Sequence, residues 1–148
     1  NGASMFFGGG RWVRYGQTKL ANAAFTACLH EKLQASGSKV KALVAHPGLA
    51  ETDLQSTTVR EGGMGEWFTK QLMKTGQSRE DGTLGILTCI AHSDAQSGQF
   101  FGPGMGGMFT ALKGPAKGYP LEASYDNPST RQILWTNSCA AIGEDFNI

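Results

Sequence analysis

Between Trp12 and Ala35 apolar residues return at helical spacing, at Leu20, Ala23 and Ala24, Ala27 and Cys28, and Leu33. That is the stripe of one helix face, and the Ala, Gln, Lys and Glu around it favour the same state. The spacing predicts a helix over 12–35, stopped by Gly37. Lys39–Ala45 then runs into an apolar, partly β-branched end, which predicts a short buried strand. His46-Pro47-Gly48 terminates it, because Pro47 has no N–H for a ladder. Residues 49–77 are irregular in pattern, with Gly62, Gly63 and Gly65 and a short helix expected around Glu66–Lys74. A connection this long is commonly functional, and a substrate lid is expected within 53–77. Ser78-Arg79-Glu80-Asp81 has a capping form, with an acid three residues after the serine. Leu84, Leu87, Ile90 and Ala91 follow at helical spacing, predicting a helix over 79–93.

Gly98–Gly102 fits a brief last strand, and Gly and Pro then break the chain repeatedly until Ser129. A terminal helix is expected over Ser129–Ile142. Residues 1–11 read as a loop with an apolar knot. Helix, strand, helix, strand, with short apolar strands, predicts an α/β fold with a parallel sheet.

Composition removes several classes of function. The 148 residues carry a net charge of +1 with no stripe of Lys and Arg, so a nucleic-acid surface built on bulk charge is excluded. No apolar run approaches the ~20 residues of a membrane-spanning helix, so no transmembrane segment is expected. Cys28, Cys89 and Cys139 are an odd number without CxxC spacing. That argues against a disulfide framework and against a metal site, and for reduced thiols in a cytoplasmic compartment. The 21 glycines cluster, so they mark loops and not a repeat.

Two short motifs carry chemistry. Tyr15 and Lys19 stand four apart and share one helix face. An ammonium beside a phenol favours the phenolate, which suits a group that exchanges a proton with an alcohol or a carbonyl. Taken alone, the spacing is better read as an amphipathic side-chain pair on a helix surface. The second motif, Pro47-Gly48-Leu49-Ala50-Glu51-Thr52, follows a strand at the end where open parallel sheets bind ligands. There Gly48 lets a flat group approach the backbone and Thr52 offers a hydroxyl, although an ordinary turn has the same composition. Tyr15 and Pro47 are 32 residues apart, room for one helix and one strand.

In that order and at that separation, YGQTKLAN followed by VAHPGLAETDL resembles the short-chain dehydrogenase/reductase family, most closely its retinol-dehydrogenase-like branch. Ile133-Leu134-Trp135 with Asn137-Ser138 is similar to the ending of that branch. The resemblance implies a Rossmann-type parallel sheet with flanking helices and an oxidoreductase using NADP or NAD. Tyr15 would be the catalytic acid/base, and Lys19 would assist it and bind the nicotinamide ribose. Pro47, Gly48, Ala50 and Thr52 would hold the carboxamide, through the Ala50 backbone and the Thr52 hydroxyl. The substrate would be a small, apolar alcohol or carbonyl compound, and a homo-oligomer is expected.

The family's Gly-rich phosphate-binding turn has no counterpart before Tyr15. The chain, which opens at Asn1, is therefore expected to be the carboxyl-terminal part of one such domain and inactive when isolated. The catalytic serine is expected upstream, Ser4 being the nearest candidate here. Gly102-Pro103-Gly104-Met105-Gly106-Gly107 matches GxGxxG, with Glu122 downstream, but Gly114, Pro115, Gly118 and Pro120 forbid the helix that such a turn must open. His30 is expected on a helix surface, His46 as a strand-end histidine beside the ligand, and His92 near a helix end. Met64, Trp67, Phe68, Leu72 and Met73 either line an apolar pocket or pack a short helix. The alternative to an enzyme is a non-catalytic Rossmann-type binding or scaffold protein that retains these motifs.

Overall fold

Helix α1 spans Gly10–Ala35 and ends on a Schellman cap. The Gly37 N–H bonds the Gln34 carbonyl and the Ser38 N–H bonds that of Leu33, with Gly37 at φ 68°, where a side chain would be strained. The computed structural model describes residues 10–50, 67, 70–71, 74–104, 112–121, 126–145 and 148. After α1 come β1 (Val44–Ala45), α2 (Arg79–Gly82), α3 (Leu84–Ala91), β2 (Gln99–Gly102), β3 (Lys117–Pro120) and α4 (Pro128–Ile142). Together they make a mixed α/β fold with flanking helices and a small mixed sheet in the order β1-β2-β3. The Gly98 N–H bonds the Ala42 carbonyl and the His46 N–H bonds that of Phe101, so β1 and β2 advance together as a parallel pair.

The chain divides into two compact units. One comprises Asn1–Val44, Gln96–Gln99 and Pro120–Ile148. Its core is the predicted stripe of α1, with Ala23, Ala24, Ala27, Cys28 and Leu33 all buried. Helix α4 packs here: Trp135 stacks on Phe25 with ring centroids 6.0 Å apart, and the Lys32 ammonium lies 4.5 Å from the Trp135 ring centroid. Arg131 is held between Glu31, at 3.1 Å, and Asp126. The start of α4 is fixed by Asn127, whose side chain accepts from the N–H groups of Ser129 and Thr130, with Pro128 in the first turn where no N–H is needed. Gly143, at φ 75°, closes its far end.

The other unit comprises Ala45–Ala95 and Phe100–Tyr119. Ser78 caps α2 by accepting from the Asp81 N–H, as its sequence predicts. The single helix expected over 79–93 is instead two, broken at Thr83 and ending at Ala91. Thr83 turns its hydroxyl back onto the Glu80 carbonyl at 2.7 Å. Both helices make close glycine contacts: a Cβ on Gly82 would stand 2.7 Å from that of Ala50, and one on Gly85 3.2 Å from the His46 carbonyl.

Three further expectations are corrected. The strand expected over Lys39–Ala45 is confined to Val44–Ala45, which is only half-buried. The Ala42 N–H goes to the Ser97 hydroxyl at 3.0 Å rather than to a ladder, and Val40 is exposed. β3 falls in a stretch read as loop. It stands at an end of the sheet, where Gly118 and Pro120 are tolerated. His30 is not a plain surface residue, since its Nδ1 meets the Ser97 hydroxyl at 2.9 Å and its ring lies against Gly98.

Candidate functional site

Tyr15 and Lys19 lie on α1, one turn apart, and the helix brings their side chains together. The Lys19 ammonium stands 5.3 Å from the centroid of the Tyr15 ring. Tyr15 is 41% exposed, so a ligand can reach it. Local bonds keep the turn regular: the Thr18 hydroxyl donates to the Tyr15 carbonyl at 2.8 Å. Ser4, Thr52 and residues 53–66 of the expected lid lie outside the described residues. So do Met64, Phe68, Leu72, Met73, Met105–Gly107 and Glu122. Of the helix expected around Glu66–Lys74, Trp67, Lys70, Gln71 and Lys74 are described; the first three are helical and Lys74 lies in a turn.

The Pro47–Ala50 turn belongs to the other unit and leaves the carboxyl end of β1, as predicted. Gly48 adopts φ 66°, and a Cβ there would stand 2.6 Å from the Leu112 carbonyl and 2.7 Å from Pro103, so the position admits only glycine. The turn is tied at several points. The Gly48 N–H bonds His46 Nδ1 at 3.2 Å, the Leu49 N–H bonds the Leu112 carbonyl at 2.7 Å, and the Leu49 carbonyl accepts from the Gln77 N–H at 2.8 Å. The Gln77 side chain adds a bond to the Pro47 carbonyl at 2.6 Å and one from the Gly114 N–H at 3.0 Å. Ala50 is buried and forms a parallel bridge with Gln77. Sequence reasoning missed Gln77, because nothing local marks a glutamine whose partners lie 30 and 37 residues away.

His46 is a strand-end histidine, as expected. Its Nδ1 accepts from Gly48, so the neutral ring carries its hydrogen on Nε2. That nitrogen is buried and has no hydrogen-bond partner among the described residues. The ring tilts against Phe100, with centroids 5.1 Å apart, and covers Gly102. Burial holds its pKa below the usual histidine value, partly opposed by the Pro103 backbone. Thus Gly102, the first glycine of the GxGxxG match, makes room for an imidazole ring.

All three cysteines are free thiols, and burial raises the pKa of Cys28 and Cys89. Among the described residues no cluster of His, Cys, Asp or Glu could hold a metal ion, and no helix is long and apolar enough to cross a membrane. In the unit that holds α1, a groove of about 460 Å³ runs between α1 and α4, lined by Leu20, Ala24, Ile133 and Leu134 among others. Its α1 residues Gln17, Leu20, Ala21 and Ala24 lie on the face opposite Tyr15 and Lys19.

No family model matches the sequence, and no curated protein matches it. A crystal structure of an uncharacterized protein from Mycobacterium paratuberculosis is similar, with a TM-score of 0.61 and 23% identity, over 93% of this chain and 41% of that one. At that identity the likeness shows the fold alone. The chain spans about two-fifths of the length of that structure.

Proposed function

We propose that this chain is the carboxyl-terminal part of a Rossmann-type oxidoreductase of the short-chain dehydrogenase/reductase kind, interconverting an alcohol and a carbonyl compound with NADP or NAD. The observation that carries the reading is the Tyr15–Lys19 pair, an exposed phenol with an ammonium 5.3 Å from its ring centroid on one helix face. The donor set on α1 fits a nicotinamide ribose: a phenol and an ammonium can both bond its hydroxyls. The cofactor, when bound, accepts or supplies the hydride.

The protein's own residues handle the proton and the geometry. In reduction the Tyr15 hydroxyl donates to the forming alkoxide; in oxidation the Tyr15 phenolate takes the alcohol proton. Lys19 assists Tyr15 and anchors the ribose. Pro47, Gly48, Ala50 and Thr52 orient the carboxamide. The substrate is a small apolar alcohol or carbonyl compound.

Reduced nicotinamide mononucleotide tests the reading, because it needs no phosphate-binding turn for an adenosine half. Titrated to millimolar levels, it is expected to shift the amide NMR signals of Tyr15, Lys19 and Ala50. Shifts confined to other residues, or none, overturn the assignment. In a parent chain that turns over, Tyr15→Phe should lower kcat by about 10²-fold or more while cofactor affinity stays nearly constant. Binding without any turnover would favour the non-catalytic reading.

A further inference from the structure

We infer that Gln77 is a positioning residue that sets the shape of the Pro47–Ala50 turn. It rests on the proposed function only for what that turn receives.

The two ends of the Gln77 amide have forced roles. The Pro47 carbonyl can only accept, so the atom 2.6 Å from it is the NH2 donor. The Gly114 N–H can only donate, so the atom 3.0 Å from it is the amide oxygen. The backbone of the same residue bonds Leu49 and bridges Ala50. One residue therefore joins three segments: the turn after β1, the approach to α2, and the loop at Gly114. It grips the turn on both sides of Gly48, whose positive φ leaves that turn few alternative shapes. His46 holds the same turn through the Gly48 N–H.

A side chain that only filled space could be replaced by another of similar volume. Gln77→Met keeps the volume and loses both side-chain bonds. Gln77→Glu keeps the acceptor for Gly114 and, ionised, loses the donor to Pro47. The pair therefore separates packing from bonding, and one bond from the other.

The experiment is amide exchange and chemical-shift mapping of the 148-residue chain and both variants, with and without reduced nicotinamide mononucleotide. In Gln77→Met the Gly114 amide is expected to exchange roughly fivefold faster or more, as for loss of one net hydrogen bond. Gly48 and Ala50 shift, and the α1 amides stay in place. In Gln77→Glu the Gly114 amide stays protected while the Pro47 side of the turn shifts. The probe's effect on Ala50 weakens in both variants, and its effect on Tyr15 and Lys19 does not. If Gln77→Met leaves Gly114 exchange and the turn's shifts unchanged, the inference is overturned. It is also overturned if the turn moves but Ala50 responds to the probe as in the parent. If the probe perturbs no residue of the parent chain, the proposed function fails instead. Gly114 exchange and the turn's shifts then decide the role of Gln77 by themselves.

Discussion

A methyl group added to Gly102 would run into the His46 ring, and that one contact accounts for a glycine the sequence offers as part of a phosphate-binding match. Gly102→Ala is expected to destabilise the fold by about 1–3 kcal/mol, the usual cost of overpacking. Adding His46→Ala should return part of that loss, because the two residues share the contact. Urea unfolding of the single and double variants measures it, and strict additivity would contradict the contact. His46 also predicts a pH effect. Its folded pKa lies below the ordinary 6.5, so the unfolded chain takes up protons first as pH falls. The contribution is complete above 6.5 and is lost as pH drops through 6.5 toward the lower folded value. A protonated Nδ1 also cannot accept from Gly48. His46→Asn keeps a side-chain acceptor and does not titrate. The stability gap between it and the parent should therefore change between about pH 7.5 and about pH 5.5, and a constant gap would contradict the assignment. Arg131 gives a third measurement at this scale. Its side chain is 15% exposed, but its partners Glu31 and Asp126 are 62% and 46% exposed. Solvent screening keeps the value modest, and Arg131→Met should cost about 1–2 kcal/mol.

At the scale of elements, what was legible is what local chemistry decides. The stripe from Leu20 to Leu33 and the stop at Gly37 gave α1, and the Ser78 cap gave the start of α2. The expected end of α4, Ile142, is its end in the structure, and its start shifts by one residue because Asn127 caps and Pro128 opens the helix. Asn127→Ala should therefore cost about 1 kcal/mol and fray the first turn of α4, seen as faster exchange at Ser129 and Thr130. Unchanged exchange there would show that the cap is dispensable. What was hidden depends on distant partners. Lys117–Pro120 has the composition of a loop and becomes a strand because an end position in the sheet tolerates it. The residues of Lys39–Ala45 look alike in pattern, yet the Ser97 hydroxyl, 55 residues from Ala42, takes an N–H the ladder would have used. The candidate site divides the same way. Tyr15 and Lys19 meet because helix geometry guarantees it, whereas the grip of Gln77 on Pro47 had no local signal.

For the molecule as a whole, α3 poses a problem of burial. A helix as apolar as Leu84–Ala91 belongs inside a fold. Its Gly85 face lies against Ala45, the His46 carbonyl and the Phe101 carbonyl, but Ile86, Leu87 and Ile90 are 57%, 53% and 78% exposed. These three sit within one side of the helix, so they form a stripe and not scattered surface residues. Covering a single side chain of this kind fully is worth about 1.5–3 kcal/mol, so covering three on each of two copies is of the order of the association cost. The isolated chain is therefore expected to self-associate, with a sedimentation mass that rises with concentration. Ile86→Lys with Ile90→Lys should lower that mass toward 15.7 kDa without changing the helical circular dichroism. A chain that stays monomeric over the whole concentration range, or whose association ignores both lysines, would show that this face does not drive contact between copies.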